Sequence, residues 1–526
     1  MDKHFYAAVS LGLGLALGIV GDIFFYRRLI GLSFPLFVLL SVAAFFAFAA
    51  LARKQPQARN LWLLIPLGFF AAMVAVRADM TLTFLNVTAV LTLGALLLHY
   101  FLLREAFDSQ SLAKHTLALF DAGFAVVLAP VAQLMDAAGL LRRRSKPGSH
   151  LVTAVLRGLL IATPVLFVFG LLLASADPIF ARYVERLTSL LEVRNLEDAF
   201  TQAAVVATLG WIGCGALAYA VLRRIETRSA TAPTTAAAVT EPFAEDSPKA
   251  EGAPSPAEPA PAAPKPAQSG FSLGVIEAAI TLGLVDLLFA AFVLIQLAYF
   301  FGGQGNITVE GFTYADYARR GFFELVGVST LTLGLMLWLD SVTTRRAGGQ
   351  QTLFRILSIG MIVLVGIMLW SAHLRLTLYE EAYGFTHLRL YPHVFMFWLA
   401  ALFGFFLLSL FRVRRNIFAL GTVVCVIGYL ATLNLINPDY TIMQQNITRY
   451  QQSRSLDIGY LRYVSADAIP ALLPFYQQVE DRELRYGLGQ WLIWRQQELD
   501  AQRADVTFLS AHVGRDTAWA MLDAAR

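Results

Sequence analysis

The residues of this chain that are able to do chemistry are gathered in four short polar and aromatic stretches, each at the end of a long apolar run. The first is Ser175-Ala176-Asp177-Pro178-Ile179-Phe180. Asp before Pro is a natural helix stop, because the pre-proline residue is pushed out of the α region. A cap and turn therefore stands beside a binding role for Asp177. The second stretch runs from Tyr314 to Glu324 and contains Tyr317 and Arg319. Tyr and Arg are ordinary membrane-interface anchors. Glu324 lies inside the apolar run and needs a partner. The third, Tyr379 to Tyr391, carries Glu380, Tyr383, His387 and Arg389, and the fourth is Asn437-Pro438-Asp439, followed by Asn446 and Arg449.

A carboxylate at that depth is costly alone, and an arginine offsets much of the cost through two charge-assisted donors. The expected arrangement is one charged network of Glu324, Arg389 and Glu380, with Arg319, Tyr317 and Tyr383 around it. His373, His387 and His393 with Glu380 and Glu381 invite a metal reading, but their spacings match no zinc pattern, so neither a metal nor a cofactor is predicted. Asp286 stands apart, near the middle of a run of about 27 apolar residues. There it is either a proton relay or cation ligand, or a protonated acid bonded to a neighbouring helix. The chain has no phosphate-binding Walker loop, no His-Glu-x-x-His and no Gly-x-Ser-x-Gly, so no catalytic set is predicted.

The elements that must position these residues are membrane helices. Of the 526 residues, 57% are apolar and only 15% charged, against roughly 45–50% and about 25% in soluble chains. The excess is concentrated in runs long enough to cross a hydrocarbon core about 30 Å thick. This excludes a soluble enzyme, a nucleic-acid-binding protein and a disulfide scaffold. Cys214 and Cys425 both lie inside apolar runs and read as small buried apolar residues. The fold class is an all-α, polytopic transmembrane bundle of about eleven spans: 5–25, 29–51, 61–77, 82–103, 151–176, 200–222, 275–301, 321–340, 353–374, 390–411 and 417–436. A twelfth candidate at 116–141 carries Asp121, Pro130, Gln133 and Asp136 and reads as an interfacial or re-entrant segment.

Four regions follow: N-terminal helices over 1–225, a linker over 226–270, a five-helix membrane part over 271–436 and a helical tail over 437–526. The linker holds nine of the twenty prolines, a composition that favours a disordered tether. In the tail, apolar residues recur at Leu456, Tyr460, Tyr463 and Val464, then at Leu472, Leu473, Tyr476 and Val479, and again from Leu484 to Trp494. Each set predicts a helix.

Lys and Arg mark the cytoplasmic side. With eleven spans and a cytoplasmic N-terminus, the clusters at Arg53–Arg59, Arg142–Lys146, Arg223–Arg228, Arg345–Arg346 and Arg412–Arg415 all fall inside, as do all six lysines. A spanning 116–141 would move the N-terminus outside. Either arrangement keeps the linker inside and the tail outside, and puts all four chemistry-bearing stretches on the outer face.

Several of these stretches resemble those of a family of bacterial polytopic membrane proteins catalogued as domain of unknown function 4173. They are Ser-Ala-Asp-Pro-x-Phe at 175–180, Tyr-Ala-Arg-x-Gly-Phe-Phe at 317–323, Tyr-Gly-Phe-Thr-x-x-Arg-Leu-Tyr at 383–391, Asn-Pro-Asp at 437–439, and 461–472 with its Ser-Ala-Asp-Ala-Ile-Pro. The resemblance covers about 150–475; the Pro-rich insert departs from it, and the first four spans match only in hydropathy. It implies a bacterial inner-membrane protein and brings no activity.

Three functions compete. The first is a non-enzymatic envelope module that binds a ligand at its outer face and recruits a periplasmic or membrane protein partner through 437–526. The second is an ion- or proton-coupled transporter using Asp286. The third is a lipid-linked glycosyltransferase, which usually needs an acidic pair in a sizeable first outer loop; here that loop has only Asp22. The lipid bilayer is a partner in all three, and nucleic acid in none.

Overall fold

A computed structural model describes residues 3–54, 58–100, 205–206, 208–214, 275–301, 322–343, 349–411 and 416–525. The segment 116–141, the linker 226–270 and the candidates Asp177, Tyr317 and Arg319 lie outside these residues. Among the described residues the secondary structure is helical.

The chain divides into two compact units, the first made of Met1–Arg223, Gln304–Val326 and Met368–Arg526, the second of Arg224–Gly303 and Gly327–Ile367. The helices of the N-terminal part are α1 (Lys3–Phe25), α2 (Ser33–Leu51), α3 (Leu64–Met73, preceded by a 3-10 turn over Ala58–Leu63) and α4 (Met80–Tyr100). Then come α5 (Val275–Phe301), α6 (Phe322–Val342), α7 (Gly349–Tyr383), α8 (His387–Leu410) and α9 (Ile417–Ile436). Six described helices, α1, α2, α4, α7, α8 and α9, are long and apolar enough to cross a membrane. Their outward faces carry large apolar side chains: Leu39, Phe84, Leu91, Trp370, Phe397 and Leu435 are each more than 60% exposed. Water does not tolerate so much apolar surface, whereas lipid does. The protein is an integral membrane protein.

In the first unit, Phe70, Leu67 and Leu63 pack with Leu93, Leu96 and Leu97 of α4, and Val423, Ile427 and Leu430 of α9 close the cluster. The α4–α9 contact also holds a buried amide pair, in which Asn86 and Asn434 donate to each other at 2.8 Å. Such a reciprocal pair leaves no amide unsatisfied where water is excluded.

The tail forms α10 (Pro438–Ser453), α11 (Ile469–Gln478), α12 (Arg482–Ala501) and α13 (Val513–Ala524). The stretch around Tyr460 is a 3-10 turn over Ile458–Tyr463 in place of the expected helix. Arg454 in the left-handed region stops α10, and the Asp457 side chain accepts the Tyr460 N–H, which closes a tight turn. The core of the tail includes Ile442, Leu461, Leu472, Leu488, Trp491 and Leu522, and packs against Ala78, Phe385 and Leu390 from the membrane helices and their loops.

The loops of the first unit converge at one end. The Val513 and Gly514 N–H groups at the start of α13 donate to the carbonyls of Ala75 and Val76, just past α3, at 2.8 and 3.1 Å. Leu32 N–H, between α1 and α2, donates to Ala511 O at 2.9 Å. The unsatisfied donors of a helix N-terminus thus meet the unsatisfied acceptors beyond a helix C-terminus.

Candidate functional site

Three carboxylates, one histidine and two tyrosines from four separate segments meet at this end. Asp79 precedes α4 as a cap: its Oδ1 accepts the N–H groups of Thr81 at 2.6 Å and Leu82 at 3.0 Å. That leaves Oδ2 facing outward from the helix start, 3.4 Å from His387 Nε2.

His387 begins α8, and a built turn delivers it there. Gly384 adopts φ +83, and a Cβ on it would lie 2.8 Å from Asn446 Oδ1. Only glycine fits that conformation and that approach. Asn446 of α10 then clamps the next residue, accepting Phe385 N–H at 2.7 Å and donating to Phe385 O at 2.9 Å. Arg449, one turn on, donates to Glu381 O at 2.7 Å and Ala382 O at 2.5 Å, the open carbonyls at the end of α7.

Asp439 is the second residue of α10, after Asn437 with φ 50 and a proline in the first turn. It is 1% exposed. Its Oδ2 accepts Ser465 N–H at 2.8 Å, and its Oδ1 lies 2.8 Å from His387 Nε2. That second contact is an ion-pair distance without a completed hydrogen bond, since neither atom has a hydrogen-bond partner. The other ring nitrogen, Nδ1, is 2.8 Å from the Tyr460 hydroxyl, which also accepts His387 N–H at 2.9 Å. Tyr391 stands edge-on to the His387 ring at 5.6 Å, with its hydroxyl buried and unpartnered.

Asp467 completes the junction from the tail. Its Oδ2 accepts Ala78 N–H at 2.8 Å. Burial, added to by the nearby Asp439 and Asp79, raises its pKa to about 7 against the pull of Ala78 N–H and Arg77. Asp79 is buried too, yet the nearby His387 and the N–H groups of Leu82 and Thr81 together hold it below the usual carboxylate value. Burial pushes the Tyr460 phenol up to about 12. Beside them His512 caps α13, with Nδ1 accepting Arg515 N–H and Nε2 against Arg77 O, both at 3.2 Å. Burial and Arg515 hold it below the ordinary histidine value, in its neutral form.

Of the residues expected to form a charged network, the structure brings some together and separates others. Glu380 is 2% exposed, and its partner is His393, with Nδ1 at 3.2 and 3.4 Å from the two carboxylate oxygens. His393 in turn meets His373 edge-to-face at 4.5 Å. Arg389 forms no ion pair with Glu380 among the described residues. It donates to Gly384 O and lies over the Tyr379 ring at 4.1 Å, with Tyr383 at 6.0 Å. The physical reason is the helix start at His387: Arg389 sits in its first turn, where the preceding loop carbonyls are nearer than the inward-facing Glu380. Glu324 belongs to α6 by its backbone, and its side chain lies outside what is described. Asp439 joins His387, as does Asp79, which the sequence did not single out. Its one signal was position, in the loop with Arg77 between two spans. Asp79 Oδ2, His387 Nε2 and Asp439 Oδ1 form a donor set within 4.8 Å of one another.

A model of the family described as a domain of unknown function, DUF4153, matches residues 64–474. The motifs had pointed to 4173, a different family that is similarly uncharacterised, and the match corrects that assignment. No curated protein matches, and no solved structure matches.

Proposed function

The chain belongs to the DUF4153 family, and we propose that it is a non-enzymatic binding module of the bacterial inner membrane, with its polar junction on the outer face. The observation that carries this reading is the convergence on His387: Asp79 from the α3–α4 loop and Asp439 from the start of α10 lie 3.4 and 2.8 Å from one ring nitrogen. Membrane helices and tail therefore share one buried polar cluster, so anything bound there acts on both. The junctions at 26–32, 74–79, 384–386 and 437 are the loops that the arginine pattern assigns to the outer face, which supports that orientation. A transporter using Asp286 is the second reading. It draws on one observation: Asp286 Oδ1 is buried without a hydrogen-bond partner, next to Gly360 of α7.

Complementation separates the two. In a strain with a phenotype on deletion of the gene, His387→Gln and Asp439→Asn should fail to complement while the protein still accumulates in the membrane, and Asp286→Asn should complement. Full complementation by both junction variants would remove the binding reading, and failure of Asp286→Asn alone would favour transport.

A further inference from the structure

We infer that Asp79 Oδ2, His387 Nε2 and Asp439 Oδ1 form a site for one divalent cation of the zinc or manganese class. The first ground is spacing. Donor atoms held about 2.0–2.1 Å from one metal at octahedral or tetrahedral angles lie about 2.8–3.4 Å apart. His387 Nε2 is 2.8 Å from one carboxylate oxygen and 3.4 Å from the other. The three atoms come from three elements of the same compact unit.

The second ground is independent of the spacing. Asp439 is 1% exposed, yet its Oδ1 has no hydrogen-bond partner, and neither has His387 Nε2 beside it. The imidazole lies at ion-pair distance from both carboxylates, 2.8 Å from Asp439 and 3.4 Å from Asp79, without an aligned hydrogen bond to either. A buried carboxylate oxygen without an aligned donor is costly and rare. A cation among the three atoms would offset the charge of both carboxylates and take the Nε2 lone pair. It also fits the charge: two carboxylates and one imidazole leave a net negative charge even when the ring is protonated. Arg77, the nearby guanidinium, is turned away to donate to Asn434 O at 2.7 Å.

The third ground lies behind the ligands. Metal-binding side chains are oriented by a second ring of hydrogen bonds, and each of these three has one. Tyr460 holds His387 Nδ1, Ser465 N–H holds Asp439 Oδ2, and the Thr81 and Leu82 N–H groups hold Asp79 Oδ1. In the tautomer that gives Nδ1–H to the phenol oxygen, the Nε2 lone pair is free for a cation between the two carboxylates. One nitrogen with two carboxylate oxygens suits zinc or manganese better than calcium, which takes six to eight oxygens. The imidazole is 23% exposed, which gives a path for entry. The assignment deepens the binding reading above and rests on it for the role of the junction.

The test is metal stoichiometry on the full chain, purified in detergent, stripped with a chelator, then reloaded with zinc, manganese or cobalt and desalted. Wild type should retain about one equivalent of at least one of these, and reloading should raise its unfolding temperature. His387→Ala and Asp439→Asn should retain none. Tyr460→Phe, which keeps the packing and removes only the hydroxyl, should bind about 10–100-fold more weakly. His393→Gln, in the separate Glu380 cluster, should bind as wild type does. Should the ligand variants fail to fold, Tyr460→Phe and the visible bands of the cobalt-loaded wild type decide the matter. Absence of stoichiometric metal from the wild type, or equal retention by a folded His387→Ala, overturns the assignment. If metal fails to bind while the junction variants still lose complementation, the metal is wrong and the binding reading stands. If metal binds and the variants complement, the reverse holds.

Discussion

Ala78 N–H donates to Asp467 Oδ2 at 2.8 Å across 389 residues of sequence. A loop from the first third of the chain and a turn in the tail are thereby one structure. Asp467 can take this place because its own turn is capped by Ser465, whose hydroxyl accepts Asp467 N–H at 3.2 Å. The bond also makes the docking of the tail sensitive to the charge on Asp467, which shares its surroundings with Asp79, Asp439 and Arg77.

The pH dependence follows with a definite sign. Asp467 has a pKa of about 7 in the folded chain, against about 3.9 unfolded. The folded state holds the extra proton between those values, so this contribution is complete below about pH 4 and is lost as pH rises through 7. Its upper bound is on the order of 4 kcal/mol, because each tenfold gain in proton affinity is worth about 1.4 kcal/mol. Asp79 shifts the other way and loses its contribution only in acid. His512, held neutral by burial, loses its contribution as pH falls, and only below about 6.5. Asp467→Asn keeps the acceptor for Ala78 and removes the titration. In chelator-treated protein, the variant should gain stability relative to wild type from pH 5 to pH 8, measured as the denaturation midpoint in detergent. A constant difference over that range would remove Asp467 from the argument.

Gly514→Ala tests the docking sterically. A Cβ there would sit 2.0 Å from Asp467 Oδ1 and 3.0 Å from Val76 O. The backbone carbonyl cannot swing aside, so overpacking should cost at least about 1–3 kcal/mol. Proteolysis should cut the tail faster in the variant than in wild type. Unchanged protection would mean that α13 does not pack on the α3–α4 loop.

Six of the spans were legible because the bilayer imposes one rule on all of them, and the runs at 5–25, 82–103 and 417–436 became α1, α4 and α9 with ends shifted by a few residues. The helices of the tail at 469–478 and 482–501 were legible from their apolar spacing. The turn at 458–463 was not, because Asp457 offers the backbone a local bond that periodicity cannot register. At the site, Asp439 and the stretch around His387 stood out by composition. Their meeting did not, because it depends on Gly384 and Asn446 setting where α8 starts. Arg389 was expected in one network with Glu324 and Glu380 because it enters a span on their side, and among the described residues its partners are a carbonyl and an aromatic face, which sequence distance does not reveal.

Asn446→Ala should release that turn. It removes an acceptor for Phe385 N–H and a donor to Phe385 O together, at a site 8% exposed. Each orphaned backbone group costs about 1–3 kcal/mol, so the loss should exceed that of Gln444→Ala on the exposed face of α10. Thermal unfolding of both variants measures the difference. Equal midpoints would show that the turn holds itself.

Glu380 and His393 should behave as a coupled pair. Glu380→Gln leaves a part-buried imidazole behind and His393→Gln a buried carboxylate, and the double mutant should recover about 0.5–3 kcal/mol relative to the sum of the singles. The same cycle on Glu380 and Arg389 should show additivity, because Arg389 is engaged with Gly384 O and the Tyr379 ring. Coupling to Arg389 and none to His393 would restore the expected pairing of Arg389 with Glu380.

The orientation of the tail gives the last prediction. The α1–α2 turn, the α3–α4 loop and the α7–α8 turn all meet the tail, so they must share its side of the bilayer. Arg53 and Lys54 follow α2, which runs away from that end, and the arginines at 412–415 follow α8, which does the same. If positive loops face the cytoplasm, the junction and the tail face out. Alkaline phosphatase fused after Arg526 should then be active, and so should a fusion within 26–32, whereas one at Lys54 should be inactive. The internal comparison matters more than any single fusion, because the packing requires 26–32 and the C-terminus to agree. Activity at Lys54 with none at Arg526 would invert the orientation and leave the fold intact. Disagreement between 26–32 and Arg526 would break the fold itself.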